Sequence, residues 1–312
     1  MDTAATFPAF FAPGPNRYHL AAITEIHTFT PNLSNEFRIG FNRYYSVTNS
    51  TRSFPGLTQF PNLTFQNLGG VNFGPDPNAP QGTIENLYQA TEAITWVKGK
   101  HTMKFGVEGR KAIAPQLFVQ RLRGDYQYRT VGSYLQDLSP DLFGERNATP
   151  PGVSPTFYGD QSNIYAYGND DYRVTPTLTL NVGLRYEFTS VPFSSKEQKL
   201  NSAASVPGLI SFNEPKPQYL NFAPRLGFAY APNENTSIRA GFGIGYDVLY
   251  DNLGTLSAPP QFQTTTDVDT TAPQTPGFLA GGGLPSTFTF ASLAAPARCY
   301  VRLHSQPEAP LL

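Results

Sequence analysis

SNIYAYGNDDYRVTPTLTLNVGLRYEFTS, residues 162–190, is the stretch that decides the fold of this chain. From Leu178 to Phe188 every even position is apolar or aromatic, and the odd positions are Thr, Asn, Gly, Arg and Glu. A period of two is typical of a β-strand with two different faces. Soluble strands usually need about five or six residues, whereas about 9–11 are needed to cross a bilayer at a tilt. The stretch therefore predicts a hairpin of membrane-spanning length.

The composition favours strands and turns over helices. Only 14% of the 312 residues are charged, 13% are aromatic, and there are 27 glycines and 29 prolines. The net charge of -1 without basic runs argues against a nucleic-acid binder, and a single cysteine, Cys299, excludes an intrachain disulfide framework. No apolar stretch is long enough for a membrane helix, but barrel strands need none because their lipid-facing and lumen-facing residues alternate.

The same alternation recurs along the chain and predicts four hairpins. Their predicted turns lie at 31–35, 98–101, 173–177 and 232–236, and long connectors separate the hairpins. Short turns that alternate with long loops are typical of outer-membrane barrels. We divide the chain into an N-terminal loop (1–17), strands in four hairpins (18–250) and a loop with an irregular tail rich in Pro, Gly and Thr (251–312). The predicted fold is all-β: an antiparallel up-and-down transmembrane β-barrel segment of about eight or more strands, open or incomplete.

A short pattern of polar residue, apolar residue, glycine and apolar residue repeats in the strands. It occurs at 38–41, 104–107, 181–184, 225–228 and 239–242, and each glycine falls on the polar face. Because glycine weakens a strand, its recurrence on one face predicts a curved sheet or the close approach of another group.

The polar face supplies the candidate functional residues. We predict that they line the lumen or contact a plug domain; the alternative is a solvated strand face with weak ion pairs. These residues are Arg38, Lys104, Glu108, Arg110, Arg185, Glu187, Arg225 and Arg239.

Other polar and aromatic groups give weaker signals. Asp170 and Asp171 are neighbours on a strand, so they should point to opposite faces and cannot act as an acid pair. Glu25 and His27 share a face, which we interpret as a lumen-facing polar pair rather than as metal ligands. No Ser/His/Asp or Glu constellation can be assembled on one face, so we predict no enzyme activity, no cofactor and no metal. We also predict interface girdles of aromatic residues, comprising Trp96, Tyr126, Tyr128, Tyr165, Tyr167, Tyr172, Tyr246 and Tyr250.

Three segments, 94–106, 170–187 and 221–230, resemble the β-barrel region of TonB-dependent outer-membrane receptors, most closely the Oar-like group. The resemblance implies solute uptake across the cell outer membrane, with outer-membrane lipid, a plug domain and the TonB complex as partners. Members of that family carry a plug ahead of a barrel of about twenty-two strands. We interpret this chain as a fragment of the middle of such a barrel, with a frame change near Ala294 that produces the ending CYVRLHSQPEAPLL.

Two other functions remain open from the sequence. A passive porin-like channel would need a barrel closed by this chain or its oligomer. A soluble β-sandwich that binds carbohydrate would use Trp96 and the loop tyrosines. The sequence does not identify a transported solute, because selectivity resides in long loops and plug contacts.

Overall fold

A computed structural model describes residues 6–49, 56, 59–118, 120–148, 156–196, 215–248 and 264–287 of the chain. These ranges contain one α-helix, α1 (Val131–Leu135), and 3-10 segments at Pro8–Phe10, Gln66–Leu68 and Phe193–Lys196. The strands, numbered in chain order, are β1 (Asn16–Thr30), β2 (Leu33–Thr48), β3 (Asn62–Phe65), β4 (Val71–Phe73), β5 (Gln81–Lys98), β6 (His101–Ile113), β7 (Pro115–Phe118), β8 (Asp125–Tyr128), β9 (Phe143–Ala148), β10 (Thr156–Tyr158), β11 (Gln161–Thr175), β12 (Leu178–Thr189), β13 (Phe222–Asn233), β14 (Thr236–Gly243) and β15 (Thr264–Asp267). None of the helices in the described ranges has the length and apolarity needed to cross a membrane.

Eight of these strands form the main path of one large antiparallel sheet, in the order β1-β2-β5-β6-β11-β12-β13-β14, and β7, which pairs with β5 and β10, brings the sheet to ten strands. This spatial order is also the order along the chain, so the predicted up-and-down, all-β architecture is confirmed. The four predicted hairpins are present, with turns at 31–32, 99–100, 176–177 and 234–235. Each turn is shorter than predicted because the strands continue into positions where the sequence predicts turn.

The large sheet is open, a point that the sequence leaves undecided. Within the described part of the chain, β1 pairs only with β2 and β14 pairs only with β13, so the two edges do not meet. Both edge strands are exposed along their whole length. The eight strands therefore form a wall rather than a closed cylinder.

The last hairpin ends earlier than the sequence predicts. The alternation predicts a strand from 237 to 250, but β14 stops at Gly243, and residues 244–248 form no strand. The partner strand explains this end: beyond the last pair, Arg225↔Gly243, Pro224 accepts from Ile244 at 3.1 Å but has no backbone N–H to donate in return. Residues 249–250 lie outside the described ranges.

A second, smaller sheet is made largely from the long connectors, where the sequence predicts only loop. Its strands follow the order β15-β9-β8-β3-β4, and we call it the loop sheet. β15 belongs to the segment 251–312, for which the sequence predicts loop and an irregular tail. Four buried side chains, Leu63, Phe65, Tyr126 and Tyr128, form its core.

Residues 276–284 are held against the loop sheet by specific hydrogen bonds. The Asp137 carboxylate accepts from the backbone N–H groups of Leu279 (2.7 Å) and Ala280 (3.1 Å). Leu284 donates its N–H to the Tyr126 hydroxyl at 3.0 Å, and its carbonyl accepts from Arg146 at 2.9 Å. These bonds join positions far apart in the chain, so local sequence patterns do not reveal them. The terminal stretch 299–312 lies outside the described residues.

Two carboxyl groups of the loop sheet, the buried Asp125 and the half-buried Glu145, share the guanidinium group of Arg121. Arg121 Nη1 lies 2.7 Å from Glu145, and Arg121 Nε lies 3.5 Å from Asp125. Burial raises the pKa of both carboxyl groups, although Arg121 acts in the opposite direction. The folded loop sheet therefore holds these protons more tightly than the unfolded chain does.

We expect the loop sheet to become less stable as pH rises. The stabilisation from a raised carboxyl pKa is complete below the ordinary value of about 4 and is lost as pH rises through the folded-state value. Amide exchange of β8 and β9, corrected for intrinsic rates, should show falling protection over that range. The dependence should flatten in Asp125→Asn, and protection that increases with pH would contradict the expectation.

Candidate lumen surface

The strand register separates the large sheet into two faces of different character. All eight candidate residues lie on one side, which we call the polar face. For example, Arg225 on β13 is paired with Gly183 on β12, which lies two residues from Arg185 and therefore on the same face. The other side, the apolar face, carries large hydrophobic side chains that are exposed rather than buried. These include Phe37, Ile39, Ile94, Phe105, Val107, Ile164, Val182, Leu184, Leu226, Phe228 and Phe242.

A tyrosine held between two guanidinium groups forms the best-packed part of the polar face. Tyr165 on β11 is only 4% exposed. Arg110 from β6 lies 5.2 Å from the centre of its ring, and Arg185 from β12 lies 4.5 Å from it. Both distances suit cation–π attraction. The register brings these side chains together from three adjacent strands.

Each arginine of this cluster has its own carboxylate partner. Arg110 Nε pairs with Glu108 at 2.5 Å, and Arg185 Nε pairs with Glu187 at 2.7 Å. Gln89 on β5 donates a further hydrogen bond to Glu108 at 2.7 Å. Because the positive charges are matched within the cluster, it is suited to stiffening the wall rather than to binding an anion.

We expect Glu108→Ala to lower the free energy of unfolding by about 1–3 kcal/mol, because it removes a largely buried carboxylate that accepts from two half-buried donors, Arg110 and Gln89. The matched control is Glu36→Ala. Glu36 pairs with Arg38 at the same two-residue spacing, but its side chain is 40% exposed, against 11% for Glu108. An exposed pair contributes about 0–1 kcal/mol. Equal losses in urea unfolding of the two variants would contradict the assigned role of burial.

Three of the remaining candidate cations, Lys104, Arg225 and Arg239, are exposed on the polar face. Lys104 and Arg225 occupy one row of the sheet, joined through Asn169 and Gly183. The structure does not bring these three into the tyrosine cluster. Arg225 on β13 and Arg239 on β14 form a separate, positively charged part of the polar face, which we call the cationic sector.

The repeated glycines lie on the polar face, as predicted, and side chains from adjacent strands approach several of them. A Cβ on Gly106 would meet Tyr167 Cζ at 2.6 Å, because that ring lies across the glycine from the paired position on β11. A Cβ on Gly227 would lie 3.4 Å from Asn181 Oδ1, whereas the nearest atom at Gly241 is a backbone oxygen at 3.6 Å. At Gly241, beside the cationic sector, only backbone lines the surface, which allows another chain to approach closely.

The aromatic girdle predicted from the sequence is partly wrong. Tyr126 and Tyr128 are buried in the loop-sheet core, and Tyr165 and Tyr167 lie on the polar face. Trp96 and Tyr172 do lie on the apolar face near the short turns. The sequence misplaces the first four because tyrosine is common in strands of every kind. Tyr250 lies outside the described residues.

The predicted separation of Asp170 from Asp171 is confirmed, and the structure adds a partner for each. Asp171 accepts from Asn181 at 2.6 Å on the polar face. Asp170 lies 2.6 Å from His101 Nδ1 on the opposite face, and the His101 ring stacks on Tyr172 at 4.3 Å. The sequence gives no signal for this second pair, because it depends on the register between β6 and β11.

The interpretation of Glu25 and His27 as a lumen-facing pair is wrong. Glu25 is opposite Phe37 and His27 is opposite Asn35, which puts both on the apolar face. Only the register could decide this, because β1 has apolar residues at both odd and even positions. No group of three or more His, Cys, Asp or Glu side chains within the described ranges could hold a metal ion.

Comparison with known proteins agrees with this two-faced sheet. The model of a family described as outer membrane beta barrel domain matches residues 2–307, which is nearly the whole chain. No curated protein matches the chain.

Proposed function

Because the chain belongs to the outer membrane beta barrel domain family, we propose that its large sheet is part of the wall of a TonB-dependent transporter that takes up a solute across the outer membrane. Family membership places the protein in the outer membrane and assigns the exposed apolar face to lipid. The transporter assignment goes further and rests on the arguments that follow.

The observation that carries the proposal is that the large sheet is open, with its two edge strands not paired with each other. Eight adjacent strands leave β1 and β14 unpaired with each other, so the complete barrel needs more strands than these eight. Barrels much larger than eight strands enclose a lumen, and the largest of them are plugged. The additional strands come from outside the part of the chain that the structure describes.

The polar face also suits a plug better than an open channel. The cationic sector combines Arg225 and Arg239 with glycines such as Gly227 and Gly241, so a second backbone could lie close to the wall and place carboxylates beside the cations. This arrangement supports a plug segment with an acidic surface as the partner of the wall. Catalysis is not part of the proposal, because no reactive constellation is assembled among the described residues of the polar face.

A test is to label Arg225→Cys in a Cys299→Ala background in living cells with a small maleimide added from outside. A TonB-dependent plug moves only when the inner membrane is energised, so labelling should slow when an uncoupler is added. Leu135→Cys is the control, because Leu135 lies in α1 and is 75% exposed; its labelling should not change. If the uncoupler does not change the labelling of Arg225→Cys, and the protein gives a steady ion current in planar bilayers, the protein is instead a passive porin-like channel.

A further inference from the structure

Four polar residues, Glu25, His27, Asn35 and Glu92, form a patch on the apolar face, separate from the His101–Asp170 pair on the same face. The four residues lie on β1, β2 and β5. They are neighbours on three adjacent strands. His27 is opposite Asn35, and Glu25 and Glu92 are in the next row, where Phe37 lies between them. The Asn35 side-chain amide donates hydrogen bonds to the Glu92 carboxylate and to the backbone carbonyl of Ala93. We call these four residues the outer patch.

The outer patch interrupts a surface made largely of apolar side chains, whose other charged pair, His101 with Asp170, is closed on itself at 2.6 Å. On β12 the same face carries Leu180, Val182 and Leu184, and on β13 it carries Leu226 and Phe228. The patch also lies well inside the apolar belt. Glu92 is four residues from Tyr88 on one side and four from Trp96 on the other, which is about 13 Å along the strand in each direction.

Charged groups at this depth are costly when they face lipid hydrocarbon, which offers no hydrogen bonds. Further strands of the barrel would cover the exposed edges of β1 and β14, and a plug would cover the polar face. Neither of these touches the apolar face. A partner for the outer patch must therefore approach from the membrane side.

We propose that the outer patch is the centre of an interface with a second copy of this chain in the outer membrane. The patch is self-complementary, because His27 and the Asn35 amide can donate hydrogen bonds, whereas Glu25 and Glu92 can accept them. A twofold axis normal to the membrane keeps both copies in the same orientation and places the patch against itself.

The surface next to the patch allows close approach of the two copies. Small residues, Ala21, Ala90 and Gly109, lie beside Ile23 and Ile39 in an open groove of about 590 Å³ on the same side of the sheet. Small residues at membrane interfaces let backbones pack closely and improve van der Waals contact. The groove gives the interface a largely apolar surface on one side of its polar centre. This inference uses the outer-membrane location but not the transporter proposal.

Cysteine cross-linking of the full-length protein in isolated outer membranes tests the interface. In a Cys299→Ala background, Ile39→Cys places a thiol beside the outer patch, and Leu184→Cys places one on the same face away from it. A short bis-maleimide should convert most of Ile39→Cys to a band of twice the monomer mass and little of Leu184→Cys. Heat-modifiable gel mobility confirms that each variant is folded.

A second variant separates a specific contact from chance collision. His27→Leu combined with Glu92→Leu makes the patch apolar, which would suit a lipid-facing surface at least as well as the natural residues. On our proposal this double change should reduce the Ile39→Cys cross-link at least tenfold while the barrel remains folded. The proposal is overturned if the yield of the Ile39→Cys cross-link is unchanged in that variant, or if Ile39→Cys and Leu184→Cys cross-link equally. It is also overturned if only monomer is seen, or if the cross-linked product contains a different protein.

Discussion

Leu184→Arg is expected to destabilise the folded protein in a bilayer by about 2–4 kcal/mol, the cost of a basic side chain near the midplane of a barrel's lipid face. Leu184 is 49% exposed on the apolar face. It shares a row with Phe105 and Ile94 through Gly168, and the nearest carboxylate on this face, Asp170, is diagonal to it and already paired with His101 at 2.6 Å. Urea unfolding in phosphatidylcholine vesicles, followed by the fluorescence of Trp96, measures the loss.

Asn181→Arg is the matched control for this substitution. Asn181 lies three positions away on the same strand but on the polar face, where it donates to Asp171 at 2.6 Å. An arginine there keeps a carboxylate partner and stays in water, so we expect a change within about 1 kcal/mol. Equal destabilisation by the two arginines would mean that the apolar face does not contact lipid.

Gly74→Ala is expected to destabilise the loop sheet by about 2–4 kcal/mol through backbone strain and overpacking. Gly74 has a φ of +114°, a region that side-chain-bearing residues rarely occupy. A Cβ there would also clash with the backbone carbonyl of Pro61, next to the buried Asn62. Asn62 joins β3 to the following turn by donating to Pro75 O at 2.8 Å, so the clash should loosen this corner of the sheet.

The control for this prediction is Gly69→Ala. Gly69 also has a positive φ, +72°, but no other atom lies within 4 Å of an added Cβ. Only the conformational cost of roughly 1 kcal/mol should remain. Hydrogen exchange should show loss of protection in β3 and β8 for Gly74→Ala, with little change in β5 and β6. Similar losses for both glycines would show that the contact with Pro61 does not matter.

The long hairpins could be predicted because each strand carries its own signal. The alternation over β12 and the short turn within each hairpin are local features of the sequence. A two-residue turn can join only two antiparallel neighbouring strands, so it also determines their pairing. The faces of Arg185, Glu187 and Arg225 followed from the same alternation. Their pairing could not be predicted, because the contact of Arg110 and Arg185 with Tyr165 depends on the register across three strands.

The loop sheet shows where sequence reasoning fails. Its strands are three to six residues long, and one pair, β3 with β8, is parallel and joins distant segments. Segments this short carry no clear period, and their proline-rich surroundings read as loop. The core of Phe65, Tyr126 and Tyr128 forms only when two connectors meet.

By itself, the sequence determined the all-β fold class, the four hairpins, the sheet with one polar and one apolar face, and the location in a membrane. It did so because each strand contains its own alternation with period two. Only the tertiary structure decided which face Glu25 and His27 occupy, since β1 is apolar on both sides and its orientation depends on its register with β2. It also decided that the connectors build a second sheet and that a polar patch lies on the apolar face. These features arise from contacts between residues far apart in the chain, and a local pattern carries no information about them.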